Sequence, residues 1–462
     1  MSGTFRPFAG LAVAVVGLGR AGLPAALRLA EWGAEVTAWD DGLAARQAAE
    51  AAGVTVADMA QGPFRFDALL LSPGIPHRLP VAHPIAARAE AGRVPILCDV
   101  EFLAAAIRAS GQMPLLAGIT GTNGKSTTTA LLQHILAGAG WNALAGGNLG
   151  TAALSMPLLP TDGAYVLEMS SYMLERLART RFNAAVMLNL SPDHLDRHGS
   201  MAGYAAAKAQ IFARQDRDDI AVLGQDDVAA ALGVGLAARK IPISGRRPQP
   251  GGVWAEAGML RDDAGLILPM AEAPTLPGEH NAQNAAAAAA VALAWGLARE
   301  AVAEGLRTYP GLPHRAEQVA FLDGIPWIND SKATNADSTA RALASWKHAV
   351  LIAGGTGKEG GIEPLIPLFG RIAHAVLIGR DAPVFAATLA AQGVPHTMAG
   401  TLAAAIPAAR DAARATGAEA VLLSPAAASW DQFTGFDARG DAFRAAVQAL
   451  AQQQAAETSR CP

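Results

Sequence analysis

A glycine-rich loop followed by lysine and hydroxyl residues is the segment of this chain best suited to chemistry. Residues 121–127 have the sequence Gly-Thr-Asn-Gly-Lys-Ser-Thr and lie between a predicted strand, 114–120, and a predicted helix. Backbone N–H groups of such a loop wrap phosphates, the lysine neutralises the terminal phosphate oxygens, and a hydroxyl at the helix start holds Mg²⁺. The usual spacing fails, because Ile119 replaces the first glycine and Gly118 comes one residue early. We nevertheless expect nucleoside-triphosphate binding by Gly121, Thr122, Asn123, Gly124, Lys125, Ser126 and Thr127.

A second glycine loop lies near the beginning of the chain. Gly17, Gly19 and Gly22 follow a strand-like apolar run and precede a helical pattern. In this context the glycines permit a tight turn and bring a diphosphate close to the backbone at a helix N-terminus. Asp40 ends the next predicted strand, where an acid commonly contacts a ribose. The pattern predicts nucleotide binding without identifying the nucleotide, and the alternative is a glycine turn that serves packing alone.

Charged residues also follow predicted strands in the middle of the chain. Glu168 ends one strand, where a carboxylate can complete a Mg²⁺ site beside bound phosphates. The run 193–198, Asp-His-Leu-Asp-Arg-His, has the wrong spacing for a helical zinc pair, but its position after a buried strand favours a site over a plain polar loop. Lys208 stands in a helical run, and periodicity alone predicts a solvated lysine.

Three polar loops follow predicted strands in the last third of the chain. They cover 329–335 (Asn-Asp-Ser-Lys-Ala-Thr-Asn), 354–358 (Gly-Gly-Thr-Gly-Lys) and 424–433. A lysine beside hydroxyl groups can hold a carboxylate through charge-assisted hydrogen bonds. Dense polar loops are often only turns, but three of them at strand ends predict a ligand cleft.

The elements that position these loops predict an α/β fold of three domains. The length, 462 residues, corresponds to three domains at about 150 residues each. We predict a Rossmann-like first domain at 1–103, a central P-loop ATPase-like domain with a parallel sheet at 104–311, and a Rossmann-like C-terminal domain at 312–462. The Gly- and Pro-rich stretch 242–277 predicts loops with short β pieces, and the alanine-rich stretch 285–298 predicts a buried helix.

Composition and charge exclude several classes of protein. Hydrophobic residues make up 51% of the chain, which excludes intrinsic disorder, and the net charge of -4 lacks the basic excess of nucleic-acid binders. Two cysteines, Cys98 and Cys461, exclude a disulfide framework and favour a cytoplasmic protein. Neither apolar stretch predicts a membrane segment. Gly17 and Gly19 interrupt the apolar run 8–19 and Arg20 follows it, and the run 285–298 is shorter than the roughly 18 residues of a spanning helix.

Together these segments resemble the Mur ligase family, the ATP-dependent amino-acid ligases of bacterial cell-wall synthesis. The matching segments span nearly the whole chain in the family's order: 17–22, 72–75, 120–127, 147–150, 168–172, 193–197, 208, 280–284, 311–315, 329–335 and 423–433. The segment 120–127 is typical of the whole family. The opening glycine loop, Ser-Pro-Gly-Ile at 72–75 and Asp-Ser-Lys-Ala-Thr-Asn at 330–335 are together most similar to its glutamate-adding member.

The resemblance implies a division of labour among the three domains. The first domain would bind the UDP end of UDP-N-acetylmuramoyl-L-alanine, and Asn148 would lie near the muramoyl part. The residues expected to bind this substrate are Gly17, Gly19, Gly22, Asp40, Ser72, Pro73, Gly74 and Asn148. Further ATP contacts would come from Asn284, Arg315 and Asp330. Glutamate would be held in the third domain by Lys332, Thr334, Ser429 and Phe436.

The resemblance also implies the catalytic and metal-binding groups. The catalytic residues would be Lys125, His194 and Lys208, and two Mg²⁺ ions would be held by Ser126, Glu168, His194 and Lys208. Lys208 matches the lysine that family members carbamylate, so an N6-carboxylysine is expected there instead of a solvated lysine. Four positions depart from the family pattern. Ala21 and Asp41 affect the expected uracil and diphosphate contacts, and Met173 stands where the family usually has Gln. Thr356 replaces the usual Asp near Lys358, so the match at Lys358 is weaker.

The implied reaction joins D-glutamate to the alanyl carboxylate through an acyl phosphate, releasing ADP and phosphate. The resemblance implies a monomeric enzyme of peptidoglycan precursor synthesis, without a nucleic-acid or membrane partner. One alternative is L-glutamate on the same substrate, because the motifs do not decide handedness. A second alternative is a folylpolyglutamate-synthase-like ligase, but such ligases lack an N-terminal domain with a glycine loop like 17–22. A third is an NAD-dependent oxidoreductase, which would leave Lys125 unexplained. A fourth is a non-catalytic nucleotide-binding regulator, which would not need Lys332 and Thr334.

Overall fold

The computed structural model describes residues 5–148, 150–225, 227–357 and 360–458. The chain divides into two compact units, one that runs to Tyr309 and one that begins at Pro310. Lys358 and Cys461 lie outside the described residues. Within the described ranges, no helix combines the length and the apolar character needed to span a membrane. The α/β fold class is confirmed, since each of the three sheets alternates with helices.

The first unit begins with a five-stranded parallel sheet. Its strands are β1 (Ala12–Val16), β2 (Glu35–Trp39), β3 (Thr55–Val56), β4 (Ala68–Leu71) and β5 (Ile96–Leu97), and its helices are α1 (Gly22–Glu31), α2 (Leu43–Ala51) and α3 (Pro84–Ala91). The order is β3-β2-β1-β4-β5, so the winding direction reverses between β1 and β4. Ligands of open α/β sheets bind beyond the carboxyl ends of strands at such a reversal. The loops after β1 and β4 therefore border the expected crevice.

A nine-stranded sheet forms the rest of the first unit, in the order β14-β13-β12-β11-β10-β9-β6-β8-β7. Its strands are β6 (Leu115–Thr120), β7 (Ala143–Gly147), β8 (Ala164–Glu168), β9 (Ala184–Met187), β10 (Ile220–Gly224), β11 (Arg239–Ser244), β12 (Val253–Glu256), β13 (Met259–Asp262) and β14 (Gly265–Pro269). The predicted parallel sheet is correct from β7 to β12 and wrong beyond it, where β12, β13 and β14 pair antiparallel. The tight turn at Ala257 and Gly258, both with positive φ, reverses the chain without a crossover.

Helices cover this sheet. They are α5 (Lys125–Gly138), α6 (Ser171–Leu174), α7 (Leu195–His198), α8 (Met201–Ala209), α9 (Asp227–Ala231), α10 (Gly278–Ala294) and α11 (Arg299–Thr308). Helix α4 (Asp99–Ser110) comes before them and packs with residues of the first sheet, and the ring of its Phe102 lies 5.7 Å from that of Phe8. The alanine-rich α10 is buried along most of its length against α5 and the sheet, as the composition predicts. It begins earlier than the predicted helix and ends at Ala294, because an uninterrupted run of alanines gives no periodic signal for either end.

Two buried carboxylates of α4 connect the first sheet to the nine-stranded sheet. Glu101 accepts the backbone N–H groups of Ala178, Arg179 and Thr180 at 2.9, 3.0 and 2.8 Å. Asp99 accepts the N–H of Ala153 at 3.1 Å, and burial raises the pKa of its carboxyl. The predicted boundary between residues 103 and 104 falls inside this helix.

The second unit contains a six-stranded sheet in the order β15-β16-β20-β17-β18-β19. Its strands are β15 (Glu317–Leu322), β16 (Ile325–Asn329), β17 (Ala349–Gly354), β18 (Ile372–Ile378), β19 (His396–Gly400) and β20 (Ala420–Leu423), and its helices are α12 (Ala336–Ala344), α13 (Ala382–Ala391), α14 (Leu402–Thr416) and α15 (Phe436–Thr458). The strands predicted before the three polar loops are confirmed as β16, β17 and β20. The edge strands β15 and β19 are partly exposed and were not predicted, since they lack a continuous apolar run.

Candidate active site

The loop between β6 and α5 has a backbone that only glycine suits. Gly121 and Gly124 have φ values of +154° and +83°. A Cβ atom on Gly124 would lie 2.3 Å from the Oδ1 atom of Asn284, so α10 packs directly against this loop. Lys125 and Ser126 begin α5 immediately afterwards, and Ser126 is buried. The loop therefore presents a helix N-terminus at the carboxyl edge of the sheet, as phosphate binding requires.

Residues that follow β9 hold the loop in place. The Asn123 N–H donates to Oδ1 of Asn189 at 2.9 Å, and the Asn189 side chain donates back to the Asn123 carbonyl. The Ser191 N–H donates to Oγ1 of Thr122 at 3.0 Å. Tyr204 of α8 lies 3.3 Å from the same hydroxyl. These hydrogen bonds hold the loop in place without involving Lys125.

Two lysine amino groups meet at one carbonyl oxygen of the loop. Lys125 Nζ donates to the carbonyls of Gly121 and Thr122, both at 2.8 Å. Lys208 Nζ donates to the Gly121 carbonyl at 2.9 Å and to Oγ1 of Thr120 at 3.0 Å. Burial, with the nearby charge of Lys125, lowers the pKa of Lys208 well below its usual range. The solvated position predicted from periodicity is wrong, because α8 packs this lysine against the sheet, where it is 1% exposed.

Glu168 brings a buried carboxylate to the same edge. Its Oε1 accepts the Asn148 amide at 2.7 Å, whereas its Oε2 is buried and has no hydrogen-bond partner among the described residues. An orphan carboxylate oxygen suits a hard cation such as Mg²⁺. Within the described ranges, no three His, Cys, Asp or Glu side chains are grouped to hold a metal ion.

His194 lies at the start of α7 in a left-handed conformation, with φ of +52°. Its Nε2 lies 3.4 Å from Oδ2 of Asp193, and its ring packs 5.0 Å from that of Tyr172. Burial lowers the pKa of His194, although Asp193 opposes the shift. A neutral imidazole is the form that ligates a metal ion.

The loops that follow β1, β2 and β4 in the first sheet fit together closely. A Cβ atom on Gly17 would lie 2.5 Å from Cβ of Ser72, and one on Gly22 would lie 1.7 Å from the Gly17 carbonyl oxygen. Asp40 accepts the Leu18 N–H at 2.7 Å, so it supports the loop that the sequence predicts as a nucleotide site. Ser72 Oγ donates to the Gly17 carbonyl at 3.2 Å. These contacts leave little room for any other residue at Gly17 or Gly22.

Asn148 joins this first group of loops to Glu168. Its side chain donates to Glu168, and its carbonyl accepts Nη2 of Arg20 from the glycine loop at 2.9 Å. The predicted substrate residue Asn148 and the predicted metal residue Glu168 are therefore brought together. Asp41, one of the departures from the family pattern, lies 3.2 Å from the Trp39 indole nitrogen and 3.4 Å from the His83 ring.

The second unit holds the remaining predicted residues. Lys332 Nζ lies 4.9 Å from the ring centre of Phe436, a cation–π distance. Asp330 accepts the Ser424 hydroxyl at 2.8 Å, and burial raises the pKa of Asp330 to about 6, an effect that Arg315 opposes. Thr334 follows in the same loop, its N–H donating to the Lys332 carbonyl at 2.9 Å, and Ser429 is buried in the loop after β20. Arg315 and Asp330 thus belong to the second unit, whereas the phosphate loop and Asn284 belong to the first.

Two buried arginines support these loops and were not predicted. Arg439 of α15 is 1% exposed and donates to the carbonyls of Ser331 and Ala427, one from each of two predicted glutamate loops. Arg176, just after α6, is 3% exposed and donates to carbonyls of the loop after β4. An arginine in or beside a helix is usually solvated, so no local pattern distinguishes these two.

Known proteins resemble the chain over nearly its whole length. Residues 119–292 match the Mur ligase middle domain. A UDP-N-acetylmuramoylalanine--D-glutamate ligase of Paramagnetospirillum magneticum is 48% identical over 97% of this chain and 98% of its own, and one of Caulobacter vibrioides is 45% identical over 96% and 97%. Among solved structures, the UDP-N-acetylmuramate-alanine ligase of Thermotoga maritima has a TM-score of 0.59 at 18% identity, covering 95% of this chain and 99% of that one. The MurF ligase of the same organism, solved in complex with ADP, has a TM-score of 0.56 at 15% identity, covering 96% of each chain.

The fold and the site together define an ATP-dependent ligase, and the chain belongs to the Mur ligase family. Within that family, the curated relatives quoted above carry the name of the D-glutamate-adding enzyme. The solved structures are too distant to support more than the shared fold.

Proposed function

We propose that this chain joins D-glutamate to UDP-N-acetylmuramoyl-L-alanine at the expense of ATP, releasing ADP and phosphate in peptidoglycan precursor synthesis. The observation that carries the proposal is the meeting of Lys125, Lys208 and the phosphate loop at the Gly121 carbonyl. The relatives named for this activity support the choice of substrates.

Lys125 is proposed to bind the phosphates of ATP. A carboxylate is a poor electrophile, and transfer of a phosphoryl group to the alanyl carboxylate creates an acyl phosphate that an amine can attack. The transfer needs positioning and neutralisation of charge more than covalent help. The Lys125 ammonium group and the N–H groups at the start of α5 supply both. The glutamate amine then forms the amide bond as phosphate leaves.

Lys208 is proposed to act as a carbamate. Its neutral amine attacks CO₂ to form an N–C bond, and one proton leaves, which gives an N6-carboxylysine with a negative charge. The lowered pKa of Lys208 favours the neutral amine that this step requires. The carbamate, Glu168, His194 and Ser126 would together hold Mg²⁺, and two ions are proposed. When bound, Mg²⁺ would neutralise charge on the transferred phosphoryl group.

The first sheet is proposed to bind the UDP end of the substrate. The N–H groups of Gly19, Arg20 and Ala21 donate to no acceptor within the described residues, and they lie just before α1. Such a row of free donors at a helix N-terminus suits a diphosphate. Asp40, Ser72, Pro73 and Gly74 are assigned to the same pocket, and Asn148 to the muramoyl part.

The remaining assignments follow the same division. We assign the UDP-substrate domain to residues 1–103, the ATP domain to 104–311 and the glutamate domain to 312–462. Asn284, Arg315 and Asp330 are assigned to ATP, and Lys332, Thr334, Ser429 and Phe436 to glutamate. The enzyme is proposed to be a cytoplasmic monomer.

The decisive test measures phosphate release from ATP and Mg²⁺ in the presence of UDP-N-acetylmuramoyl-L-alanine, with D-glutamate compared with L-glutamate. We expect release that depends on both the UDP substrate and D-glutamate. Release with L-glutamate alone would keep the ligase chemistry and change the amino acid. The absence of release with either enantiomer would overturn the proposal.

Lys332→Ala is expected to raise the KM for D-glutamate by roughly tenfold or more, because the amino acid would lose a charge-assisted hydrogen bond to its carboxylate. The KM values for ATP and the UDP substrate should stay within about twofold of the original. Lys347→Ala is the matched control, since Lys347 is an exposed lysine of the same unit. An unchanged KM for glutamate in the Lys332 variant would move the glutamate site elsewhere.

A further inference from the structure

The buried guanidinium group of Arg176 hydrogen-bonds to the end of β4 and to the loop that follows it. Nη1 donates to the carbonyls of Leu71 and Ser72 at 2.8 and 3.0 Å, and Nη2 donates to the carbonyl of Ile75 at 2.6 Å. The loop, residues 72–75, belongs to the first sheet, whereas Arg176 follows β8 of the nine-stranded sheet. One side chain therefore binds the carbonyl of the last residue of β4 and two carbonyls of the loop, all remote from it in the sequence.

The neighbouring residue Glu175 contacts side chains that lie beside the same loop. Its Oε1 lies 3.2 Å from Nδ1 of His77 and 3.8 Å from Nη2 of Arg197. Arg197 in turn donates to the Gly74 carbonyl at 3.2 Å. Two arginines thus bind the carbonyls of Leu71, Ser72, Gly74 and Ile75.

These contacts determine which polar groups the loop presents. With four carbonyls turned toward guanidinium groups, the Gly74 N–H donates to no acceptor within the described residues. Ser72 Oγ contacts the Gly17 carbonyl, so the loop adjoins the glycine turn. Arg176 forms no ion pair within hydrogen-bonding distance among the described residues, and burial lowers its pKa to about 10. Glu175, whose charge acts on Arg176, is shared with Arg197, so two guanidinium groups face one carboxylate at this loop, and the excess positive charge attracts an anion.

We propose that Arg176 is a positioning residue for the UDP-bearing substrate, acting through the 72–75 loop. It fixes the loop so that the Gly74 N–H, which has no acceptor within the described residues, is available to the diphosphate beside the glycine turn, and its charge favours the dianionic group. The inference deepens the proposed function and rests on it.

The test compares Arg176→Met and Arg176→Lys with the unaltered enzyme in the phosphate-release assay. For Arg176→Met we expect the KM for UDP-N-acetylmuramoyl-L-alanine to rise roughly tenfold or more, because several hydrogen bonds to a charged donor are lost. The kcat and the KM for ATP should stay within about twofold. Arg176→Lys keeps the charge but not the fork of donors, and it should recover part of the affinity. Calorimetric titration with UDP-N-acetylmuramoyl-L-alanine alone should show the same order.

Arg88→Met is the matched control, since Arg88 donates to the carbonyls of Met59 and Gly62 in another loop of the same sheet. It should lower the melting temperature without changing the KM for the UDP substrate. If Arg176→Met does not fold, Glu175→Gln tests the same loop, and a raised KM confined to the UDP substrate is expected. An unchanged KM in folded Arg176 or Glu175 variants, or equal changes in kcat and all KM values, would overturn the inference. Failure of the unaltered enzyme to release phosphate would instead overturn the proposed function.

Discussion

Lys125→Ala should reduce kcat by roughly 10³-fold or more, since removing a preorganised charge from a phosphoryl-transfer site costs about that much. The ammonium group lies over the phosphate loop, in contact with the carbonyls of Gly121 and Thr122. Lys208 also donates to the Gly121 carbonyl, but with the carbamate proposed above it would carry a negative charge and could not replace the cation. Phosphate release in a steady-state assay measures the effect directly.

The loop itself should survive this substitution. Asn189 and Ser191 hold it through contacts that do not involve Lys125. The melting temperature and the affinity for the UDP substrate should therefore change little. Lys240→Ala, which removes an exposed lysine from β11 of the same unit, is the matched control and should be as active as the unaltered enzyme. Near-normal turnover by Lys125→Ala would refute the assignment of the phosphate loop.

Lys208→Ala should lower kcat by roughly 10²-fold or more, because the variant would lose the proposed carbamate and with it a ligand for Mg²⁺. Added acetate or formate should restore part of the activity, since a small carboxylate can occupy the cavity left by the side chain. The unaltered enzyme, equilibrated with ¹³C-labelled CO₂, should show a carbamate signal in its NMR spectrum. That signal should be absent from the Lys208 variant.

The two lysine variants provide controls for each other. Acetate should not rescue Lys125→Ala, because an anion cannot replace a cation beside phosphate. Rescue of both variants, or of neither, would argue against a carbamate at Lys208. An active enzyme with an unmodified Lys208 amine would refute that step outright.

Features that depend on a few neighbouring residues were predictable from the sequence, whereas contacts between elements distant in the sequence were not. The phosphate loop is encoded within a few residues by glycines that need positive φ and by a lysine at a helix start. The burial of Lys208 arises only when α8 packs against β6, so periodicity along one helix predicted the opposite environment. Its expected role came from resemblance to a family.

The buried arginines and the antiparallel hairpins illustrate the same division. Arg176 binds Leu71, 105 residues away in the sequence, and Arg439 binds Ser331, 108 residues away, and no short window contains such pairs. The strands β13 and β14 are short and half exposed, and they lie in a stretch whose glycines and prolines predict loops. Strand runs buried on both faces, such as β8 and β17, were predicted well because their composition alone distinguishes them.

The carboxylates of α4 have a consequence for how the first unit unfolds. Detaching the first sheet would remove the acceptor of three backbone N–H groups at Glu101 and expose the contact between Asp99 and Ala153. Each released donor must find water before the opening can continue, which raises the free energy of any partial unfolding. The two sheets should therefore open as one cooperative block in native-state hydrogen exchange, and a proteolytic fragment that ends at residue 103 would lack half of the helix that holds its core.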